Sequence, residues 1–194
     1  LGEDSLQSLS ENRFMSQKSP QFKTDTTLLY HCFDGAAGRL LIAVGHNGLA
    51  SVIIGEDDEE LVAGLISEHP KAQCAPMNAE QQREHAATAK AIEAMSQGQA
   101  ANVALPMALP GTEFQQAVWQ ALCRIPRGQT ISYKALADAV GRPRAIRAAA
   151  SACGANPLAL IVPCHRVIAS DGGMGGYKWG VAHKVELLRR EQLD

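Results

Sequence analysis

Short apolar or β-branched runs separated by turn signals fill the first part of the chain. Residues 27–33, 39–44 and 49–54 are such runs. Asp34-Gly35 with Gly38, and His46-Asn47-Gly48, interrupt them with residues suited to tight turns. The pattern predicts three strands in an antiparallel meander. Glu56 to Glu60 then opens an amphipathic helix through Leu61, Leu65 and Ile66, its acidic residues at the end the helix dipole favours. A second helix is predicted over residues 80–96, with Gly98 after it.

From Thr112 onward the periodicity is helical. Thr112-Glu-Phe-Gln115 fits a capping box, and Phe114, Val118, Leu122 and Ile125 share one face. Pro126-Arg-Gly128 ends that helix. Ser132 is placed to cap a short helix over 133–140, closed by Gly141. Pro143 is expected at the first position of a helix over 144–155. Two short helices joined by Gly-Arg-Pro have the form of a helix-turn-helix. Residues 158–162 read as a short apolar strand, and 181–191 as a closing helix. The predicted organisation is a polar, disordered tail (1–26), an α/β domain (27–105), a linker (106–111) around Pro106 and Pro110-Gly111, and a helical domain (112–194).

Composition changes the picture in three respects. First, the 194 residues, 46% of them hydrophobic, are enough for a substantial core, and no apolar run approaches the ~18 residues of a bilayer span. The chain begins at Leu1 with no signal segment, which fits a piece of a longer polypeptide or residues added ahead of Met15. Second, the net charge of −2 is unevenly spread. Residues 1–110 hold 7 Lys and Arg against 14 Asp and Glu, while residues 111–194 hold 11 against 6. A basic half fits a polyanionic partner or a merely solvated surface. Third, Cys32, Cys74, Cys123, Cys153 and Cys164 are odd in number and scattered, with neither disulfide nor zinc spacing. A reducing cytosol is the expected compartment.

The candidate chemistry centres on Pro163-Cys164-His165-Arg166-Val167. A thiolate is the reactive form of cysteine, and an adjacent imidazole can take its proton or stabilise its charge. The proline would end the strand and set the thiol at a turn near a pocket mouth. Taken alone, the pair fits an inert core cysteine better than a reactive one. The helix that starts at Arg144 is almost all small residues after Arg147. It has little with which to read base edges in a major groove. It suits close packing in an interior, or close approach to a minor groove with one arginine entering the base stack. The glycine loop from Gly172 to Gly176, followed by Tyr177-Lys178-Trp179-Gly180, matches no phosphate-cradling motif.

Ile131-Ser132-Tyr133, Arg147, Ser151, Asn156-Pro157, the Pro-Cys-His-Arg-Val run, Gly176-Tyr177, and Leu187-Leu188 with Glu191 occur in order and closely spaced. Together they resemble the O6-alkylguanine-DNA alkyltransferases, most closely the C-terminal repair domain of bacterial Ada proteins. The match is dense from Gly111 to Glu191 and looser from Leu28 to Leu105. The resemblance implies an α/β protein with an RNase H-like N-terminal domain and a helical C-terminal domain bearing a winged helix-turn-helix-like motif. It implies irreversible, single-turnover transfer of an alkyl group from O6-alkylguanine, and from O4-alkylthymine, in double-stranded DNA. Cys164 would be the nucleophile and acceptor, His165 the base acting through a water, and Glu191 the group that orients His165. Asn156 would hinge the recognition helix to the active-site strand. Tyr133 and Arg147 would promote nucleotide flipping, with Arg144, Ala148 and Ser151 completing a minor-groove contact without sequence preference. The resemblance also makes Tyr133 a candidate proton donor to the leaving guanine. Val167, Tyr177, Lys178, Trp179 and Ala159 would line the pocket, Lys178-Trp179 standing where other members carry smaller residues and Ala159 where some carry proline. The resemblance implies a monomer in the cytosol, and no Cys/His set for the zinc that certain members bind is evident.

The chemistry is coherent on physical grounds as well. An alkyl carbon on guanine oxygen is a soft electrophile, suited to displacement by a thiolate. The thioether formed has no easy leaving path, and no metal, nicotinamide or methyl-donor cofactor is needed. The target atom lies inside the duplex, so the base must be extruded. A non-catalytic binder of alkylated DNA is disfavoured by Cys164, and a sequence-specific transcription factor by the alanine-rich helix.

Overall fold

The computed structural model describes residues 27–192; the tail expected over 1–26 lies outside them. The three predicted strands form as β1 (Thr27–Gly35), β2 (Gly38–Gly45) and β3 (Gly48–Gly55). They pair as an antiparallel meander, with Gly35 opposite Gly38 and Gly45 opposite Gly48 at the turns. Gly48 has φ +103°, in the region that glycine alone enters freely. Every residue of β3 is buried, as is the centre of β2 from Leu40 to Ala43. Burial on two faces explains why these strands read as unbroken apolar runs rather than alternating ones.

A fourth strand, β4 (Gln73–Pro76), pairs in parallel with β1 and completes the order β3-β2-β1-β4. Its short Gln-Cys-Ala-Pro sequence carries no strand pattern, and an edge tolerates its proline. Between β3 and β4 lies α1 (Asp58–Glu68), capped by the Asp57 carboxylate, which accepts from the Glu60 amide at 2.9 Å. Leu61 and Leu65 are buried, but Ile66 faces outward. The single helix expected over 80–96 is two, α2 (Ala79–Glu84) and α3 (Ala86–Ser96), divided at His85. The division turns Thr88, Ile92 and Ser96 inward, and Ser96 Oγ accepts from the Ala36 amide at 2.9 Å.

The helical half begins with α4 (Glu113–Cys123). Its capping box forms as read, Thr112 and Gln115 bonding reciprocally at 2.9 and 3.2 Å. β5 (Ile131–Ser132) leads into α5 (Tyr133–Ala139), which Ser132 caps, and α6 (Ile146–Gly154) follows. Trp119 Nε1 donates to Ala152 O at 2.9 Å and so locks α6 onto α4. The expected α6 start was two residues early. Pro143 sits in the preceding turn, where the Ala145 amide bonds to Arg142 O at 2.8 Å. A 3-10 turn (Cys164–Arg166) precedes β6 (Val167–Ile168), which pairs in parallel with β5, and α7 (Val181–Glu191) closes the described chain.

The strand expected over 158–162 does not form. Only Leu158 bridges, to Val52 of β3. The Val52 amide donates to Pro157 O at 2.9 Å and the Ala159 amide to Val52 O at 3.0 Å. Beyond Ala159 the chain turns, and Leu160 adopts φ +69°. The segment expected as a linker is also bonded to β3, with Leu49 N to Pro106 O at 2.8 Å and Ala108 N to Leu49 O at 2.9 Å. One continuous apolar cluster runs from Leu28 through Val52, Trp119 and Leu158 to Leu187.

Candidate active site

Asn156 follows α6 and is fully buried. Its Oδ1 accepts from the Leu158 amide at 2.9 Å, while Nδ2 donates to Val162 O at 2.8 Å and lies 3.3 Å from Cys164 Sγ. The backbone from 156 to 164 is therefore wound around one carboxamide, which satisfies groups that a strand would have paired with a neighbour. This competition explains the lost strand at 158–162. Pro163 then delivers Cys164 into the 3-10 turn, 4% exposed. Burial pushes the Cys164 thiol up to about 11, against the opposing pull of the Asn156 hydrogen bond and of Lys184 and Lys178. The resting group is a thiol and needs a base.

His165 is buried beside it, with Nε2 at 2.8 Å from Glu191 Oε1. Burial lowers its pKa, outweighing the hydrogen bond and charge of Glu191, so the imidazole is neutral. Burial disfavours the charge on Glu191, but hydrogen bonds from His165 and Arg166 overcome this and hold the carboxyl at about 2. An ionised carboxylate only accepts, so Nε2 carries the ring proton. Nδ1 then carries the lone pair, buried and without a hydrogen-bond partner among the described residues. Glu191 is in turn gripped by Arg166 through Nε at 3.0 Å and Nη2 at 2.7 Å, and by the Gly128 amide at 3.2 Å. Arg166 Nη1 ties the cluster to Ile125 O at 2.7 Å.

Sequence reasoning passed over Arg166 and Lys184. Lys184 is fully buried on α7, and its Nζ donates to Val167 O and Met174 O. Burial lowers its pKa, opposed by Cys164 and Cys153. The signal was present: Lys184, Leu187, Leu188 and Glu191 have the i, i+3, i+4, i+7 spacing of one helix face.

A cavity of about 360 Å³ opens over the thiol, lined by Tyr133, Ala150, Cys153, Gly154, Cys164, Gly176, Tyr177 and Lys178. Tyr133 donates its hydroxyl to Gly176 O at 3.3 Å, and burial raises its pKa, keeping it protonated. Three expected pocket residues are not on the wall. Val167, Ala159 and Trp179 are buried and are not among the residues that line it. Trp179 packs edge-on against Tyr177 at 5.3 Å and lies 5.0 Å from Lys178 Nζ, so it backs the wall without facing the cavity. Arg144, Arg147, Ala148 and Ser151 are exposed along one face of α6 and its approach, and Gly154 joins that face to the cavity wall.

Comparison with known proteins bears on this arrangement. The family model described as 6-O-methylguanine DNA methyltransferase, DNA binding domain, matches residues 113–193. The regulatory protein Ada of Salmonella typhimurium is 42% identical over 167 residues, covering 86% of this chain and 46% of that protein. The chain spans about half the length of the two Ada relatives it matches. A methylated-DNA–protein-cysteine methyltransferase of Lodderomyces elongisporus is 35% identical, covering 87% of this chain and 94% of that one. A crystal structure of Mycobacterium tuberculosis OGT in complex with DNA superimposes with a TM-score of 0.68 at 33% identity, covering 84% of this chain and 92% of that one. The fold is a mixed α/β arrangement of a small sheet with helices, shared with these structures. The chain belongs to the O6-methylguanine-DNA methyltransferase family.

Proposed function

We propose that this chain repairs DNA by direct reversal, moving the alkyl group of O6-alkylguanine, and of O4-alkylthymine, irreversibly to Cys164. One observation carries the reading. A buried thiol, bonded by Asn156 and next to the His165–Glu191 pair, floors a cavity whose rim continues into the exposed face of α6. His165 Nδ1 takes the thiol proton through a bridging water, and Glu191 steadies the imidazolium. The sulfur attacks the alkyl carbon, the carbon–oxygen bond breaks, and its electron pair leaves on guanine. Tyr133, held protonated, supplies the proton the guanine needs. The thioether is inert, so each molecule acts once.

DNA is the partner, held at its minor groove by Arg144, Arg147, Ala148 and Ser151 without sequence preference, with Arg147 filling the place of the extruded nucleotide. In this reading the protein is a cytosolic monomer. An RNase H-like unit (27–105) supports a winged helix-turn-helix-like unit (112–194), joined through 106–111. The relatives' names and the family model support the methyl-transfer and DNA-binding parts of this reading. Intact-mass spectrometry after exposure to duplex DNA containing O6-methylguanine tests it. One added methyl group mapped to Cys164 is expected. Cys164→Ala should lose that gain while still binding DNA; methyl transfer surviving in this variant would refute the assignment.

A further inference from the structure

The loop over 172–180 supplies three of the cavity residues, Gly176, Tyr177 and Lys178. Gly172 and Gly175 adopt φ +85° and +64°, conformations that glycine enters freely, and side chains from outside the loop bond it at several points. Two contacts come from residues at the cavity itself or beneath it. Lys184 holds Met174 O, and Tyr133 holds Gly176 O. A third comes from the other half of the chain. Lys178 Nζ lies 2.8 Å from Glu68 Oε1, at the last residue of α1, and donates to Asn156 O at 3.0 Å. The two charged side chains are 24% and 20% exposed, so water screens the pair only in part. The Ser51 hydroxyl of β3 lies 3.4 Å from Glu68 Oε2 and 2.8 Å from His69 Nε2, so the end of α1 is held against the sheet. Lys178 thereby ties the cavity wall to the end of α1 and to the residue that bonds the thiol.

We propose that Glu68 is a specificity-determining positioning residue. Through Lys178 it pins the loop wall and so keeps the cavity fitted to small alkyl groups. It touches no reacting atom and lies outside the relay. Releasing it leaves the thiol, the base and the flipping face intact but lets the wall yield to a bulky substituent. The inference rests on the alkyl-transfer reading above.

Single-turnover reaction with free O6-methylguanine and free O6-benzylguanine tests it, since free bases need neither DNA binding nor extrusion. Glu68→Gln should raise the benzyl-to-methyl rate ratio about fivefold, the change available from a partly exposed ion pair, with the methyl rate little altered. Glu68→Asp, one methylene shorter, should give an intermediate ratio and serves if the first variant folds poorly. In a Lys178→Ala background, Glu68→Gln should change the ratio no further. An unchanged ratio in Glu68→Gln, or an equal rise with Lys178 already removed, would overturn the role of Glu68. Failure of the unaltered protein to take up any methyl group would instead overturn the transfer reading, and the role of Glu68 with it.

Discussion

Cys164, His165 and Glu191 place opposed demands on one another. The thiol needs burial to exclude water, and burial is what pushes it up to about 11. The imidazole must be neutral to accept a proton, and its burial secures that. The carboxylate must stay charged under burial, and Arg166 with the Gly128 amide makes that possible. A base is therefore required at neutral pH, because few of the resting thiols are ionised there. His165→Ala and Glu191→Gln should each slow alkyl transfer by ~10²–10⁴-fold in single-turnover assays. A normal rate in Glu191→Gln would dismiss the relay while leaving Cys164 in place. At this scale the Pro-Cys-His-Arg-Val run stood out by its residue types, whereas Glu191, by itself an ordinary solvated carboxylate, was reached only through the family resemblance. Arg166 was passed over because a charged residue beside a reactive pair reads as solvated. Only the fold reveals that Glu191, 25 residues away, meets it.

The elements show where pattern and structure part. The alanine-rich α6 left two readings open, a packed helix or a face for close approach; its buried side fits the first, and its exposed side leaves room for the second. Ala149, Ala152 and Cys153 are buried, while Ala148 and Ser151 on the opposite side are exposed beside Arg147. Arg147 is exposed and is not among the residues lining the cavity, so Arg147→Ala should weaken reaction with duplex DNA far more than with the free modified base. Equal losses on both substrates, measured side by side, would make Arg147 structural. The meander and the capped helices were legible because turn glycines and caps act locally. The stretch 158–162 misled because an apolar run of five fits a strand and a buried turn alike. What decides between them is the carboxamide of Asn156, which bonds Leu158 and Val162 at once. β4 was invisible for the converse reason: it exists by pairing with β1 and not by its own composition.

At the scale of the whole molecule, the same relay couples stability to acidity. Glu191 falls from an ordinary 4.5 to about 2 in the folded chain, so its contribution is complete above 4.5 and is lost as pH falls toward 2. His165, depressed below 6.5 by burial, binds its proton more readily when unfolded, so its contribution fades as pH falls below 6.5. Acid unfolding followed by circular dichroism should therefore begin in the mildly acidic range and steepen below 4.5. Glu191→Gln should be less sensitive to pH in the lower window. The two halves also share more than a core. Val52, in the middle of β3, gives its amide to Pro157 and takes that of Ala159, on either side of the first residue of the turn that carries the thiol to its place. The region matched by the family model is thus not a cassette that could be lifted out and grafted elsewhere. Cut from its sheet, it would expose Leu158 and leave the backbone beside Asn156 unbonded. The reactive end of the chain borrows its rigidity from a strand more than 100 residues earlier.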